Sequence, residues 1–325
     1  MEQPCRASVL HGPKDLRLDE RRLESPTPTE LQIAIKATGL CGSDLHYYQH
    51  YRNGDIQLRF RSSAKAFPHF QGTLQDKINH PASWCHKLPD EVSYDLGAIL
   101  EPLGVAIQAS RRAQIAKGSS ALVFGAGAVG LLCAAMAKVT GSSNVIIADI
   151  QQERLKFATQ HGFADEGFTV PTGRGQSIEE KLRIAKETAA SVIETSSSLD
   201  RSTGGFDVVF ECTGAEACTQ AGIYATRPGG KVVIVGMGNP VQTLPISVAA
   251  LREVDILGTF RYADTYPQAI ELASGHSPLL PDLEKLITHR FCGLDDVERA
   301  FKMAASTKDA DGKLVLKVVV ESPDD

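Results

Sequence analysis

The chain has 325 residues, 42% hydrophobic and 22% charged, a balance that suits a globular protein of about two domains with real cores. Its formal net charge of −5 argues against nucleic acid or an anionic membrane as partner, because neither surface attracts an acidic protein. No apolar run reaches membrane-spanning length, Met1-Glu-Gln-Pro-Cys-Arg lacks a secretory apolar core, and seven scattered cysteines, none spaced C-x-x-C, suit a reduced compartment; the expectation is a cytosolic protein without a cysteine zinc knuckle.

Residues 1 to about 40 alternate apolar and polar in short runs, as in Leu31-Gln-Ile-Ala-Ile-Lys, broken by Gly-Pro and Pro-Thr-Pro. These read as strands of an antiparallel β domain. Next, Thr38-Gly-Leu-Cys41-Gly-Ser43-Asp44-Leu-His46-Tyr-Tyr puts a thiol, a hydroxyl, a carboxylate and an imidazole within six residues. Two readings stand: a turn capped by Ser43 and Asp44, or a thiolate metal ligand at Cys41 with Ser43 and His46 passing a proton outward. Tyr51 to Gln75 is polar and without periodicity, a loop; Trp84-Cys85-His86-Lys87-Leu-Pro reads as a short strand and turn. Adjacent strand residues point to opposite faces, so Cys85-His86 is structural and not a metal pair.

Ser93 is a helix N-cap for the apolar run that holds Glu101-Pro102. A carboxylate inside such a run either needs a cation, donor or metal, or sits half exposed at a break made by Pro102. From Gly118 to Gly258, strands and helices alternate as in a parallel doubly wound sheet. Its opening is the most informative stretch: Ala121-Leu-Val-Phe, then Gly125-Ala-Gly127-Ala128-Val129-Gly130, an apolar helix, and Asn144-Val-Ile-Ile-Ala-Asp149. Strand, G-x-G-x-x-G, helix and a strand-ending acid form a dinucleotide fingerprint. Gly125 allows the turn, Gly127 admits a pyrophosphate, Gly130 lets helix and sheet approach, and Asp149 takes the ribose hydroxyls, favouring NAD over NADP. Arg154 could cover the adenine. The ends of later strands place Thr213, Gly214, Val235, Gly236 and Phe260 to Tyr262 around the nucleotide. Tyr266–Ala273 and Leu294–Ala304 are amphipathic, and a final strand in Gly312–Val320 rejoins the N-terminal sheet.

In order, G-L-C-G-S-D-x-H, L-E-P-L, F-G-A-G-A-V-G with Asp149, F-E-C-T-G, V-G-M-G and G-T-F-R-Y resemble the medium-chain, zinc-containing alcohol dehydrogenase superfamily. The nearest branch is that of the polyol dehydrogenases acting on sorbitol, xylitol and L-arabinitol. The resemblance implies an α/β protein: a GroES-like β domain, residues 1–117 and 261–325, interrupted by a Rossmann NAD-binding domain, residues 118–260. It implies NAD-dependent oxidation of a sugar alcohol to a ketose, in a homo-oligomer. Residue by residue, it assigns Cys41 and Glu101 to the catalytic zinc, Ser43 and His46 to the proton relay, and Arg261 and Tyr262, with Tyr47, to the polyol site.

One departure is large. Gly54-Asp-Ile-Gln-Leu-Arg59 joins directly to Phe60-Arg-Ser-Ser, where the family carries a G-H-E motif and a four-cysteine lobe. The β domain is therefore expected to be incomplete, with exposed apolar surface or poor order between about Tyr48 and Gln75. The catalytic zinc site is short of ligands, and no structural zinc is expected. His46, His69 and His80 are the imidazoles that could turn inward instead. Two alternatives follow: a zinc-independent oxidoreductase of the same fold, or an inactive NAD-binding remnant or incomplete gene product.

Overall fold

The computed structural model describes residues 3–50, 72–173, 175–196, 204–275 and 277–323. The chain divides into two compact units, Met1–Ile99 with Glu284–Asp325, and Leu100–Leu283.

The first unit is built on short strands. β1 (Gln3–Gly12) and β2 (Asp15–Leu23) form an antiparallel hairpin; β3 (Glu30–Ala34) pairs later with β5; β4 (Ala37–Gly39) runs into α1 (Gly42–His50). The Cys41 segment is thus a helix start and not an isolated turn. The Cys41 amide donates to Asp44 Oδ2 at 2.8 Å, closing the first turn of α1. β5 (Lys77–Pro81) ends before Trp84, which corrects the strand expected there: Ala82–Trp84 is a 3₁₀ turn, entered through a proline that has no N–H for a ladder. Ser93 is an N-cap as expected, accepting from the Leu96 amide at 3.0 Å, but the helix it caps is the single turn α2 (Tyr94–Gly97), and Glu101-Pro102 falls in a separate helix that begins at Leu100. Of the stretch expected to suffer from the missing segment, 51–71 lies outside the described residues; its flanks Tyr48 and Gln75 are buried.

The second unit opens with α3 (Leu100–Ala113), which runs straight through Pro102. A proline in the first helical turn lacks only an N–H that has no intrahelical partner, so no break forms. β6 (Ser120–Phe124), α4 (Ala128–Thr140), β7 (Asn144–Asp149), α5 (Gln152–Gln160) and β8 (Glu166–Thr169) make one half of the sheet. α6 (Ile178–Thr195), β9 (Phe206–Glu211), α7 (Glu216–Ala225), β10 (Thr226–Ile234), α8 (Ile246–Leu251) and β11 (Asp255–Gly258) make the other. The six strands are parallel in the order β11-β10-β9-β6-β7-β8, the doubly wound arrangement, with its reversal at β6. Both faces of β6 and β7 are covered, which is why they read as unbroken apolar runs. The core beneath them gathers Leu122, Phe124, Ile146, Phe206, Val209 and Val232. α9 (Tyr266–Ala273) closes this unit.

The chain then returns to the first unit with β12 (Ile287–Cys292), α10 (Val297–Ala304) and β13 (Lys317–Glu321). β13 lies between β12 and β4, as expected of a final strand. Its Val318 and Val320 share a core with Leu40, Tyr48 and Phe301. The compact units do not divide at 117/118 and 260/261: α3 and the segment 261–283 count with the parallel sheet. α3 is tied there by Lys231, whose Nζ donates to the Ala113 carbonyl at 3.0 Å.

Candidate active site

The glycine-rich loop joins β6 to α4. Gly125 has φ +98°, a conformation that suits glycine. A Cβ on Gly130 would lie 1.8 Å from the Gly125 carbonyl oxygen, so α4 can enter this close only without a side chain there. Gly127, Ala128 and Val129 stay partly exposed at the N-terminus of α4, where unpaired amides face outward. At the end of β7, Asp149 is oriented by two amides: Ala126 donates to Oδ2 at 2.7 Å and Gln151 to Oδ1 at 2.8 Å. Each oxygen keeps lone-pair capacity for a further donor. Arg154, on α5, brings Nη1 within 3.8 Å of where a Gly127 Cβ would sit, and its Nε is buried without a hydrogen-bond partner. An orphaned guanidinium nitrogen beside a bare loop, opposite an oriented carboxylate, fits the ribose and phosphates of a dinucleotide.

On the other side of β6 stand the ends of β9 and β10. Glu211, the last residue of β9, is fully buried. Burial pushes its carboxyl pKa up, against the hydroxyl and amide of Thr213 and the amide of Gly214, which hydrogen-bond to it and favour the ionised form. Thr213 is exposed above it, and Val235 and Gly236 are half-buried alongside. Cys218, in the first turn of α7, has its thiol pushed up to about 11 by burial, with Glu211 and Asp149 adding to the rise, so it is a neutral thiol and not a nucleophile.

α3 shapes a third region. Its Arg112 Nε donates to the Gly258 carbonyl at 3.2 Å, and Arg111 Nη1 donates to the Ala263 carbonyl at 3.1 Å, fixing the chain between them. Within that stretch Phe260 is half exposed, and the Arg261 guanidinium lies 5.4 Å from the centre of its ring. Arg261 has φ +49°, strained for a residue with a side chain and held by these anchors. Tyr262 and Tyr266 meet edge to face, ring centres 5.7 Å apart. Burial pushes both phenols up, the negative charge of Glu101 adds to it, and both stay protonated. Gly104, one turn after Glu101, leaves room for Tyr262 and Thr265: a Cβ there would meet Thr265 Oγ1 at 2.7 Å and Tyr262 Cγ at 3.2 Å.

Ser43 and His46 lie three residues apart on α1, on one helix face. Ser43 is half-buried and His46 exposed, its ring 6.3 Å from that of His50. Cys41 belongs to the first compact unit and Glu101 to the second. Among the described residues no group of three or more His, Cys, Asp or Glu side chains stands close enough to hold a metal ion. His80 packs edge-on against Trp84 instead, and His69 lies outside the described residues. Among the described residues, then, Cys41 and Glu101 are not joined by the further donors a zinc ion takes.

The sequence reading did not single out Tyr266, Gly104, Glu211 or the two arginines of α3. Tyr266 follows Tyr262 by four residues, and Glu211 is an acid closing an apolar strand; both signals stood in the sequence.

Residues 128–275 match the family profile of the zinc-binding dehydrogenases. Sorbitol dehydrogenase of Gallus gallus is 34% identical over 363 residues, covering 96% of both chains, and that of Homo sapiens is 33% identical over 95% of this chain and 94% of its own. The alignment to the first is longer than the 325 residues of this chain, so that relative carries residues with no counterpart here. Among solved structures, L-idonate 5-dehydrogenase from Escherichia coli superposes with a TM-score of 0.80 at 21% identity, over 99% of each chain. For 2R,3R-butanediol dehydrogenase from Bacillus subtilis the TM-score is 0.75 at 22% identity, over 98% of this chain and 99% of the other. With a relative this similar over nearly its whole length, the chain belongs to the medium-chain, zinc-binding alcohol dehydrogenase family, in its sorbitol dehydrogenase branch.

Proposed function

We propose that the protein is an NAD-dependent polyol dehydrogenase, interconverting a secondary alcohol of a sugar alcohol and the corresponding ketose. The observation that carries this is the loop of Gly125, Gly127 and Gly130 beside an Asp149 already oriented by two backbone amides. NAD, when bound, supplies the hydride acceptor. Asp149 accepts from the ribose hydroxyls, Arg154 covers the adenosine end, and the amides of Ala128, Val129 and Gly130 face the phosphates. Thr213, Val235, Gly236 and Phe260 border the other half, and Arg261 and Tyr262 donate to hydroxyls of the polyol. Ser43 and His46 move the proton outward. Cys41 and Glu101 are the two residues assigned to a catalytic metal, and among the described residues no third His, Cys, Asp or Glu side chain stands with them. Assembly with further copies is supported by the exposed Val241, Ile246 and Leu251 in the unit whose edge strand is β11.

A second reading is favoured by the protonated Tyr262–Tyr266 pair beside Glu101: a zinc-independent oxidoreductase of the same fold, with a phenol as the acid. Metal analysis of the purified chain, with initial rates on sorbitol, xylitol and L-arabinitol before and after chelation, separates the two. Turnover lost on chelation and restored by zinc supports the first reading, and turnover that survives selects the second. NADH binding without turnover on any polyol or ketose would overturn both.

A further inference from the structure

Glu211 is the one fully buried carboxylate among the described residues, and the roles assigned above leave it unused. Its backbone carbonyl accepts from the amides of Val235 and Gly236, each at 2.8 Å, so residue 211 links the ends of β9 and β10 through its main chain. Its side chain curls back over the next turn. Oε1 accepts from the Thr213 amide at 2.7 Å and from the Thr213 hydroxyl, and the Gly214 amide reaches Oε2 at 3.0 Å.

That turn is seated on the chain leaving β10 with no space between them. A Cβ on Gly214, itself at φ +73°, would lie 2.3 Å from the Met237 carbonyl oxygen, and one on Gly236 would lie 2.2 Å from the Gly214 amide nitrogen. At Gly214 and Gly236 the two loops meet through backbone, with no side chain between them. The buried carboxylate, gathering a hydroxyl and two amides, supplies a fixed point there.

The sheet order then says which part of a ligand the turn meets. Asp149 ends β7 on one side of the central β6; β9 and β10 stand on the other. A dinucleotide laid across the reversal puts its adenosine half over β7 and its second half over β9 and β10.

We infer that Glu211 is a positioning residue for the nicotinamide half of the bound dinucleotide, acting through the Thr213–Gly214 turn; this rests on the NAD reading above. It touches no ligand itself. In E211Q, one oxygen becomes an NH₂ facing amide donors, and the turn loses its seat.

The test is a pair of titrations on the full-length protein, with NADH and with ADP, which spans only the Asp149 half. E211Q is expected to weaken NADH about tenfold, as for a buried acceptor turned against its donors, while ADP affinity stays within about twofold of the parent. T213V, which removes the hydroxyl that donates to Glu211 and accepts from the Ala215 amide, is expected to weaken NADH about threefold with ADP unchanged, and T213S to restore it. T213V and T213S carry the test if E211Q does not fold. Equal losses for NADH and ADP overturn the inference, because a merely structural carboxylate weakens both halves. NADH binding unchanged in E211Q and T213V overturns it alone, while a parent protein that binds neither ligand overturns the NAD reading and the inference together.

Discussion

Gly104 is an absent side chain that shapes a site. It lies one turn from Glu101, on the α3 face that meets Tyr262 and Thr265, and both nearby phenols, Tyr262 and Tyr266, feel the Glu101 charge. Replacing Gly104 with alanine forces the Tyr262 ring or the Thr265 hydroxyl to move, and overpacking of this kind costs about 1–3 kcal/mol. Urea unfolding of G104A should show a loss of that size, with weaker polyol affinity beside unchanged NADH affinity. A variant as stable as the parent would mean that the ring and hydroxyl have room to yield. At this scale the sequence made Asp149 and the glycines legible, because their spacing is tied to one backbone path. Glu211 was hidden: inside Phe206-Asp-Val-Val-Phe-Glu a second acid reads as the polar end of a strand, and only the fold shows that its carboxylate turns back under the next two residues.

At the scale of elements, the tightest requirement is the crossing of α4 over the end of β6. Gly130 to Ala137 is buried without interruption, so α4 is a core helix whose distance from the sheet is set by its first turn. A G130A substitution drives a methyl into the Gly125 carbonyl, and we expect a loss of about 3 kcal/mol or more in denaturant unfolding together with loss of NADH binding. NADH affinity retained in G130A would show that the loop tolerates displacement and is not the phosphate cradle. Most helices and strands of this unit were legible because periodicity and glycine punctuation agree; β8 was not, since Glu166-Gly-Phe-Thr is short and half polar. Two signals in the first unit were less decisive in the sequence. Pro102 suggested a break where it occupies the first turn of α3, and Trp84 suggested a strand where Pro81 had already ended one.

For the whole molecule, the two compact units differ in how far sequence determines them. The parallel-sheet unit holds a complete set of parts, from fingerprint loop to edge strand, and its fold follows from them. Among the described residues the β unit is assembled from two-stranded pairs and one three-stranded sheet, and the sorbitol dehydrogenase relative carries residues with no counterpart in this chain. Nucleotide binding and turnover are therefore separate properties of this chain, and the first is the foundation of the second. The most direct measurement is calorimetric titration of NADH and NADPH into the parent protein and D149A. The account predicts that the parent binds NADH more tightly than NADPH, and that D149A loses about thirtyfold in NADH affinity as the charged acceptor of the ribose hydroxyls is removed. A parent that does not bind NADH, or a D149A variant that binds it as tightly as the parent, contradicts it.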